Sequence, residues 1–166
     1  MPPWLDEALS LALRLTLWQQ FGLAFLLGSF TVATLSDLKR LSAQREFLEV
    51  WLLFVLAVLA FDAWRAYDGR ASVPVFFLKW GLILVLSVLS LKRVGVLFRL
   101  ALGDVAALAA AAALLTPALV VIYYLAAKGL ALALGPVLAR GRPNWAFMPV
   151  VTLATLAVLA LGWLAS

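Results

Sequence analysis

Long apolar runs separated by short charged loops are the feature that most restricts how this chain can fold. Hydrophobic residues make up 66% of its 166 residues and charged residues 13%, whereas a soluble domain averages about 45–50% apolar and about 25% charged residues. A helix that crosses a bilayer needs roughly 20 mostly apolar residues, and several runs approach or exceed that length. We therefore expect an all-α integral membrane protein, folded as a polytopic helical bundle.

Charged and turn-rich breaks divide the chain into six predicted transmembrane helices, with five as the alternative. Residues 1–15 carry charges among apolar residues and are predicted to lie at the membrane interface. The nearly continuous apolar run 101–139 would be about 58 Å long as a straight helix, so it must fold back, with a kink at Pro117 or, as we favour, a turn at Lys128-Gly129. The chain is a single predicted domain, with spans at about 16–36, 47–64, 74–91, 101–125, 129–139 and 145–164.

Loop charge predicts an orientation in the cell membrane. With the N-terminus outside, eight basic residues fall in cytoplasmic loops and four in outer segments, which satisfies the positive-inside rule. Lys79 lies inside a span, where a lysine can snorkel. Asp37 and Asp104 then lie at the cytoplasmic face, and Asp62 and Asp68 at the opposite one. The cytoplasmic set is Lys39, Arg40, Arg45, Lys92, Arg93, Arg99, Arg140 and Arg142, and the outer set is Arg14, Arg65, Arg70 and Lys128.

The absence of histidine and cysteine narrows the chemistry available to such a protein. It excludes an imidazole base, a thiol nucleophile and a thiolate metal site. Two carboxylates at matching depth can instead hydrolyse a peptide bond without a metal or cofactor. One carboxylate takes a proton from water and the other, protonated, donates to the carbonyl oxygen, because two such groups roughly 3 Å apart cannot both ionise.

Asp37 and Asp104 are the predicted catalytic pair, on adjacent helices at similar depth and facing a shared cavity open to the cytoplasm. Glu49, near the start of the second span, is a weaker third candidate. The net charge of +5 is spread over short loops, a pattern that indicates membrane topology and not nucleic-acid binding. The expected partners are therefore the lipid bilayer and a protein substrate.

Two short motifs resemble those of a known family. Ala101-Leu-Gly103-Asp104, followed by a helix of small residues, resembles the GxGD motif of type IV prepilin and archaeal preflagellin peptidases. Ser36-Asp37-Leu-Lys-Arg40 resembles the first-aspartate motif of the same family, and Phe147-Met-Pro149 is similar to a segment late in archaeal members. The resemblance covers residue 30 to the C-terminus and lacks the methyltransferase part of the bifunctional bacterial enzymes.

The resemblance implies six transmembrane helices, a cytoplasm-facing aspartyl dyad of Asp37 and Asp104, and no cofactor. It also implies cleavage of membrane-inserted pilin-like or archaellin-like precursors just before their hydrophobic segment. Ala101 stands where the motif has its first glycine, and Ala106 where a lysine often follows the aspartate. Because Leu100-Ala-Leu reads as a helix already begun, the helix is predicted to start before Asp104 and to include Ala101.

Several alternatives remain at this level. Asp104 can simply cap a helix N-terminus, and Asp37 alone can be a solvated loop charge. A homologue that has lost activity, a non-enzymatic membrane subunit and a small transporter are compatible with the same composition. A presenilin-like protease is a third class, although its first aspartate normally follows a tyrosine and here follows Ser36.

Overall fold

The computed structural model describes residues 13–40, 45–139 and 146–164. Within these ranges the chain is helical apart from its connecting loops, and extended backbone pairs only in an isolated bridge between Leu91 and Leu100. The helices are α1 (Leu17–Arg40), α2 (Arg45–Tyr67), α3 (Val73–Ser90), α4 (Leu102–Ala112), α5 (Pro117–Ala139) and α6 (Met148–Leu164).

Three helices are long and apolar enough to cross a membrane, namely Phe47–Tyr67 of α2, Val73–Ser90 of α3 and Pro117–Leu138 of α5. Large apolar side chains such as Leu53 and Phe77 are more than half exposed on these helices. A soluble protein rarely exposes apolar surface on this scale, whereas a lipid-facing surface must be apolar. The apolar helices therefore indicate a bundle embedded in a membrane, as the composition predicts.

Helix α4 forms the centre of the bundle because it is built from small residues. It contacts all five other helices, and its residues 105–108 and 110–112 are buried. Alanine side chains allow neighbouring helices to approach closely. With 11 residues, α4 rises about 16 Å, roughly half of the ~30 Å hydrocarbon core.

The chain reverses at residues 113–116, and not at Lys128-Gly129 as the sequence predicted. Helix α5 begins at Pro117, whose missing N–H costs nothing in a first turn, and it continues without a break through Lys128-Gly129. The Lys128 ammonium reaches the carbonyl oxygen of Leu97, in the loop that precedes α4. Since that contact requires α5 to return along α4, the predicted boundary between the spans 101–125 and 129–139 is wrong.

The turn needs few polar side chains because its backbone is satisfied within the protein. The amide N–H groups of Ala113, Leu114 and Leu115 donate to carbonyl oxygens one turn earlier, and the N–H of Leu119 donates to Thr116 Oγ1 at 3.4 Å. Non-helical backbone at membrane depth is tolerated where it is buried in protein. A reversal of this kind leaves little trace in the sequence.

The other predicted helices lie within a few residues of the observed ones, at α1, α2, α3 and α6. Residues 1–12, 41–44 and 140–145 fall outside the described residues, so the interfacial placement of the first segment and the loop charges Arg140 and Arg142 stay predictions. Helices α1 and α6 form the most extensive helix pair, and Thr34 Oγ1 lies 2.9 Å from Thr152 Oγ1 between them. This pairing brings the C-terminal end of α1 beside the first turn of α6.

Candidate active site

Asp37 lies near the C-terminal end of α1 and points into the bundle. Its side chain is 5% exposed, and its Oδ2 atom accepts a hydrogen bond from the backbone N–H of Met148 at 3.1 Å. The backbone N–H of Phe147 donates to the same carboxylate. These N–H groups have no partner within α6 because they belong to its first turn, where the helix dipole also favours a negative charge.

Asp104 is the third residue of α4 and is partly buried. Its carboxylate accepts the backbone N–H of Ala101, the residue that caps α4. An acidic side chain that reaches back to the capping residue in this way forms half of a capping box, which satisfies one N–H group at the helix start. The predicted capping role of Asp104 is therefore present in the structure.

Helices α1 and α4 are in contact, and the two carboxylates influence each other electrostatically. Both aspartates lie outside the three helices that are long enough to cross the membrane. Burial raises the pKa of Asp37 above its ordinary value, and the N–H donors of Met148 and Phe147 oppose that rise. Burial and the negative charge of Asp37 raise the pKa of Asp104 to about 7, opposed by the N–H of Ala101.

The two carboxyl groups differ in the groups that surround them and therefore in what shifts their pKa values. Burial disfavours the charged form of both groups; two backbone donors oppose it at Asp37, whereas at Asp104 the negative charge of Asp37 adds to it and one donor opposes it. Hydrogen bonds to a carboxylate and a nearby like charge have these opposite effects. A charge on Asp37 thus disfavours a second charge on Asp104, so the two carboxyl groups can share one proton.

The residues of the GxGD-like motif form the cap and the first turn of α4. Ala101 has φ −69° and ψ 160°, so it is extended and unstrained, and the α4 helix begins at Leu102. The helix does start before Asp104, as predicted, but Ala101 is its cap and not a member of it. Gly103 is half-buried in the first turn. Ala106 is 3% exposed, and a lysine at that position would bury its charge in the bundle.

A pair of aromatic rings links the loop before α4 to the donors of Asp37. The rings of Phe98 and Phe147 meet edge to face with centroids 5.4 Å apart. Both side chains are buried. Lys128 lies over the Phe98 ring, with its Nζ atom 5.2 Å from the ring centroid.

The remaining acidic candidates lie elsewhere. Glu49 is exposed on α2. Asp62 and Asp68 lie at the end of α2 that leads into the α2–α3 connection, where the Asp68 carboxylate pairs with Arg70 at 2.7 Å. Lys79 does not snorkel but pairs with Asp62: its Nζ atom lies 2.6 Å from Asp62 Oδ2, and the side chain is buried.

The sequence predicted the two aspartates but not what surrounds them. The donors at Phe147 and Met148 are backbone groups, so only the proline that follows them marked a helix start near that position. Lys128 was assigned to a turn because a glycine follows it. In the described parts of the chain, no three acidic side chains cluster as a metal site would require; that no metal is needed stays a prediction.

No protein-family model, curated protein or solved structure matches this chain.

Proposed function

We propose that this protein is a membrane-embedded aspartyl endopeptidase in which Asp37 and Asp104 are the catalytic residues. The observation that carries the proposal is the asymmetric carboxyl pair. Asp37 is held by two backbone donors at the start of α6, and Asp104 has a pKa raised to about 7 in part by the charge of Asp37. Pairs of titratable groups whose environments separate their pKa values in this way are typical of acid–base sites.

The roles follow from the two environments. Asp37, ionised, takes a proton from a water molecule as its oxygen attacks the scissile carbonyl carbon, and Asp104, protonated, donates its proton to the carbonyl oxygen. This step gives a gem-diol, with the proton now on Asp37 and the charge on Asp104. Asp37 then protonates the leaving amine nitrogen while Asp104 takes a proton from the gem-diol, the C–N bond breaks, and the starting protonation state returns.

The proposed substrate is a membrane-inserted precursor of the pilin-like or archaellin-like type, cleaved just before its hydrophobic segment. The motif resemblance at Asp37 and Asp104 supports this class. The proposed setting is a multi-pass protein of the cell membrane with six membrane helices, of which α4 is a half-length helix. The N-terminus lies outside and the active site faces the cytoplasm.

The placement of Lys128 strengthens the proposed orientation. Its ammonium contacts Leu97 in the α3–α4 loop, so it belongs with the cytoplasmic charges and not with the outer ones. The balance of basic residues then becomes nine to three in favour of the cytoplasmic face, by moving one residue between the two predicted sets. That larger asymmetry agrees better with the positive-inside rule.

A catalytically silent homologue is the second candidate, and a specific observation favours it. Both carboxylates accept N–H groups at helix starts, Asp37 at α6 and Asp104 at α4. Structural capping alone could therefore account for both residues. Asparagine separates the two functions, because its amide oxygen can still accept a backbone N–H but the amide can neither take nor give the catalytic proton.

The test compares Asp37→Asn and Asp104→Asn with the wild type in cleavage of a precursor by the protein reconstituted in liposomes. Each variant should insert and unfold like the wild type but lose cleavage by about 10²–10⁴-fold. Asp68→Asn is the matched control, because Asp68 is exposed at the opposite end of the bundle, and it should cleave normally. Wild-type rates in either catalytic variant would rule out the dyad, and a wild type that cleaves no precursor would favour the silent homologue.

A further inference from the structure

Lys128 carries the single charge of the apolar helix α5 and lies midway along it. A charge among apolar side chains is costly unless it has a specific partner. Its Nζ atom donates a hydrogen bond to the carbonyl oxygen of Leu97 at 2.5 Å and lies 5.2 Å from the centroid of the Phe98 ring. Both partners belong to the loop of residues 91–101 that connects α3 to α4.

This loop leads directly to Asp104. Its two ends are tied together, because the N–H of Lys92 donates to Leu100 O and the N–H of Leu100 donates to Ser90 O, each at 3.0 Å. The next residue, Ala101, provides the N–H that Asp104 accepts. Lys128 holds the far part of the same loop at Leu97, and the loop is thereby fixed from both sides.

The loop also reaches the donors of Asp37. The Phe98 ring packs edge to face on Phe147, a contact that fixes the position of both rings. The backbone N–H of Phe147 donates to Asp37 together with that of Met148. Lys128 lies against the face of Phe98. Through Phe98 and Phe147 it is connected to Asp37, and through the loop that ends at Ala101 it is connected to Asp104.

We propose that Lys128 is a positioning residue that aligns the two carboxylates by clamping the loop 91–101 at Leu97 and Phe98. This inference rests on the proposed function of Asp37 and Asp104 and adds to it a residue that touches neither substrate nor reacting atoms. It predicts that loss of the ammonium lets the loop shift, which moves the cap of α4 and the start of α6 together. Displacements of about 1 Å at a catalytic site can cost about 10²-fold in rate.

The test compares Lys128→Met, Lys128→Arg and Tyr124→Phe. Methionine keeps an apolar stem without a donor, while arginine keeps a charged donor. Tyr124 lies four residues earlier on α5 and contacts Ser87 Oγ at 3.0 Å, so its phenylalanine variant removes an interhelical hydrogen bond without touching the loop. Lys128→Met should lower kcat for precursor cleavage by about 10²-fold with KM changed little, Lys128→Arg should recover most of the rate, and Tyr124→Phe should keep it.

Amide hydrogen exchange in the loop gives a second readout that does not depend on cleavage. Residues 91–101 should exchange faster in Lys128→Met than in the wild type and in Tyr124→Phe. Faster loop exchange without a loss of kcat in an active enzyme would overturn the positioning role, and unchanged exchange would overturn the clamp itself. If the wild type cleaves no precursor, the proposed function fails, and loop exchange still decides whether Lys128 holds the loop.

Discussion

At the residue scale, the two aspartates share one structural principle and differ in one chemical respect. Each accepts backbone N–H groups at a helix start, Asp37 from α6 and Asp104 from its own helix α4. Asp37 has two such donors and Asp104 one, and the charge of Asp37 raises the pKa of Asp104 further. In the proposed mechanism, these differences in donors and in neighbouring charge assign Asp37 as the base and Asp104 as the acid.

The pKa of Asp104 predicts the alkaline limb of the activity profile. A general acid must be protonated, so kcat should fall as the pH rises through about 7. Ala101→Pro should move this limb to higher pH, because proline removes the N–H that lowers the pKa of Asp104, and the φ of −69° at Ala101 suits a proline. The measurement is kcat against pH for the reconstituted enzyme.

Ala101→Gly serves as the control for that shift. Glycine retains the N–H group and tolerates the extended conformation of this position, so the limb should stay where the wild type has it. A limb that moves equally in the glycine and proline variants would show that the N–H of Ala101 does not set the pKa of the acid.

At the element scale, hydropathy predicted α1, α2, α3 and α6 because charged or turn-forming residues flank each of them on at least one side. It failed at residues 113–116, where an alanine-rich run reverses inside the protein. The backbone there is satisfied by local hydrogen bonds, so no polar stretch marks the turn. Lys128-Gly129 looked like a turn because the pattern along a sequence does not report tertiary partners such as Leu97.

The hairpin of α2 and α3 depends on a buried ion pair that the sequence did not predict. Lys79 Nζ lies 2.6 Å from Asp62 Oδ2, and the side chains are only 10% and 15% exposed. Asp62→Asn leaves the Lys79 charge without its counter-ion, which should lower the free energy of unfolding by about 3–5 kcal/mol. The double variant Asp62→Asn/Lys79→Met should recover most of that loss, because it removes both charges.

Unfolding of the purified protein by titration with a denaturing detergent measures this effect. Asp68→Asn is the control, because its ion pair with Arg70 is exposed and should contribute only about 0–1 kcal/mol. A double variant as unstable as Asp62→Asn alone would mean that the hydrogen bond from Trp80 Nε1 to Asp62 Oδ2, at 3.2 Å, or local packing dominates, and not the charge balance.

At the scale of the whole molecule, the helix order places the two aspartates and the α3–α4 loop at one end of the bundle. The connection between α2 and α3 lies at the other end. The small residues of α4 occupy the centre, while large apolar side chains lie on the outside. Composition predicted the membrane class, but only the packing of α4 against all its neighbours brings the two motifs together.

Orientation is the prediction that concerns the molecule as a whole. The chain contains no cysteine, so single cysteines can be introduced without a reactive background. Tyr67 is 93% exposed at the end of α2, and Val96 is 71% exposed in the α3–α4 loop. In intact cells or right-side-out vesicles, a membrane-impermeant maleimide should label Tyr67→Cys and leave Val96→Cys unlabelled, and inverted vesicles should give the reverse result.

The two variants control for each other, because each should react fully once detergent opens the membrane. Labelling of Val96→Cys from outside would place Asp37 and Asp104 at the outer face, where the loop charges Lys92, Arg93 and Arg99 would contradict the positive-inside rule. Such a result would leave the carboxyl pair intact but would exclude a precursor cleaved on the cytoplasmic side. Orientation therefore tests the proposed substrate class independently of whether the two aspartates are catalytic.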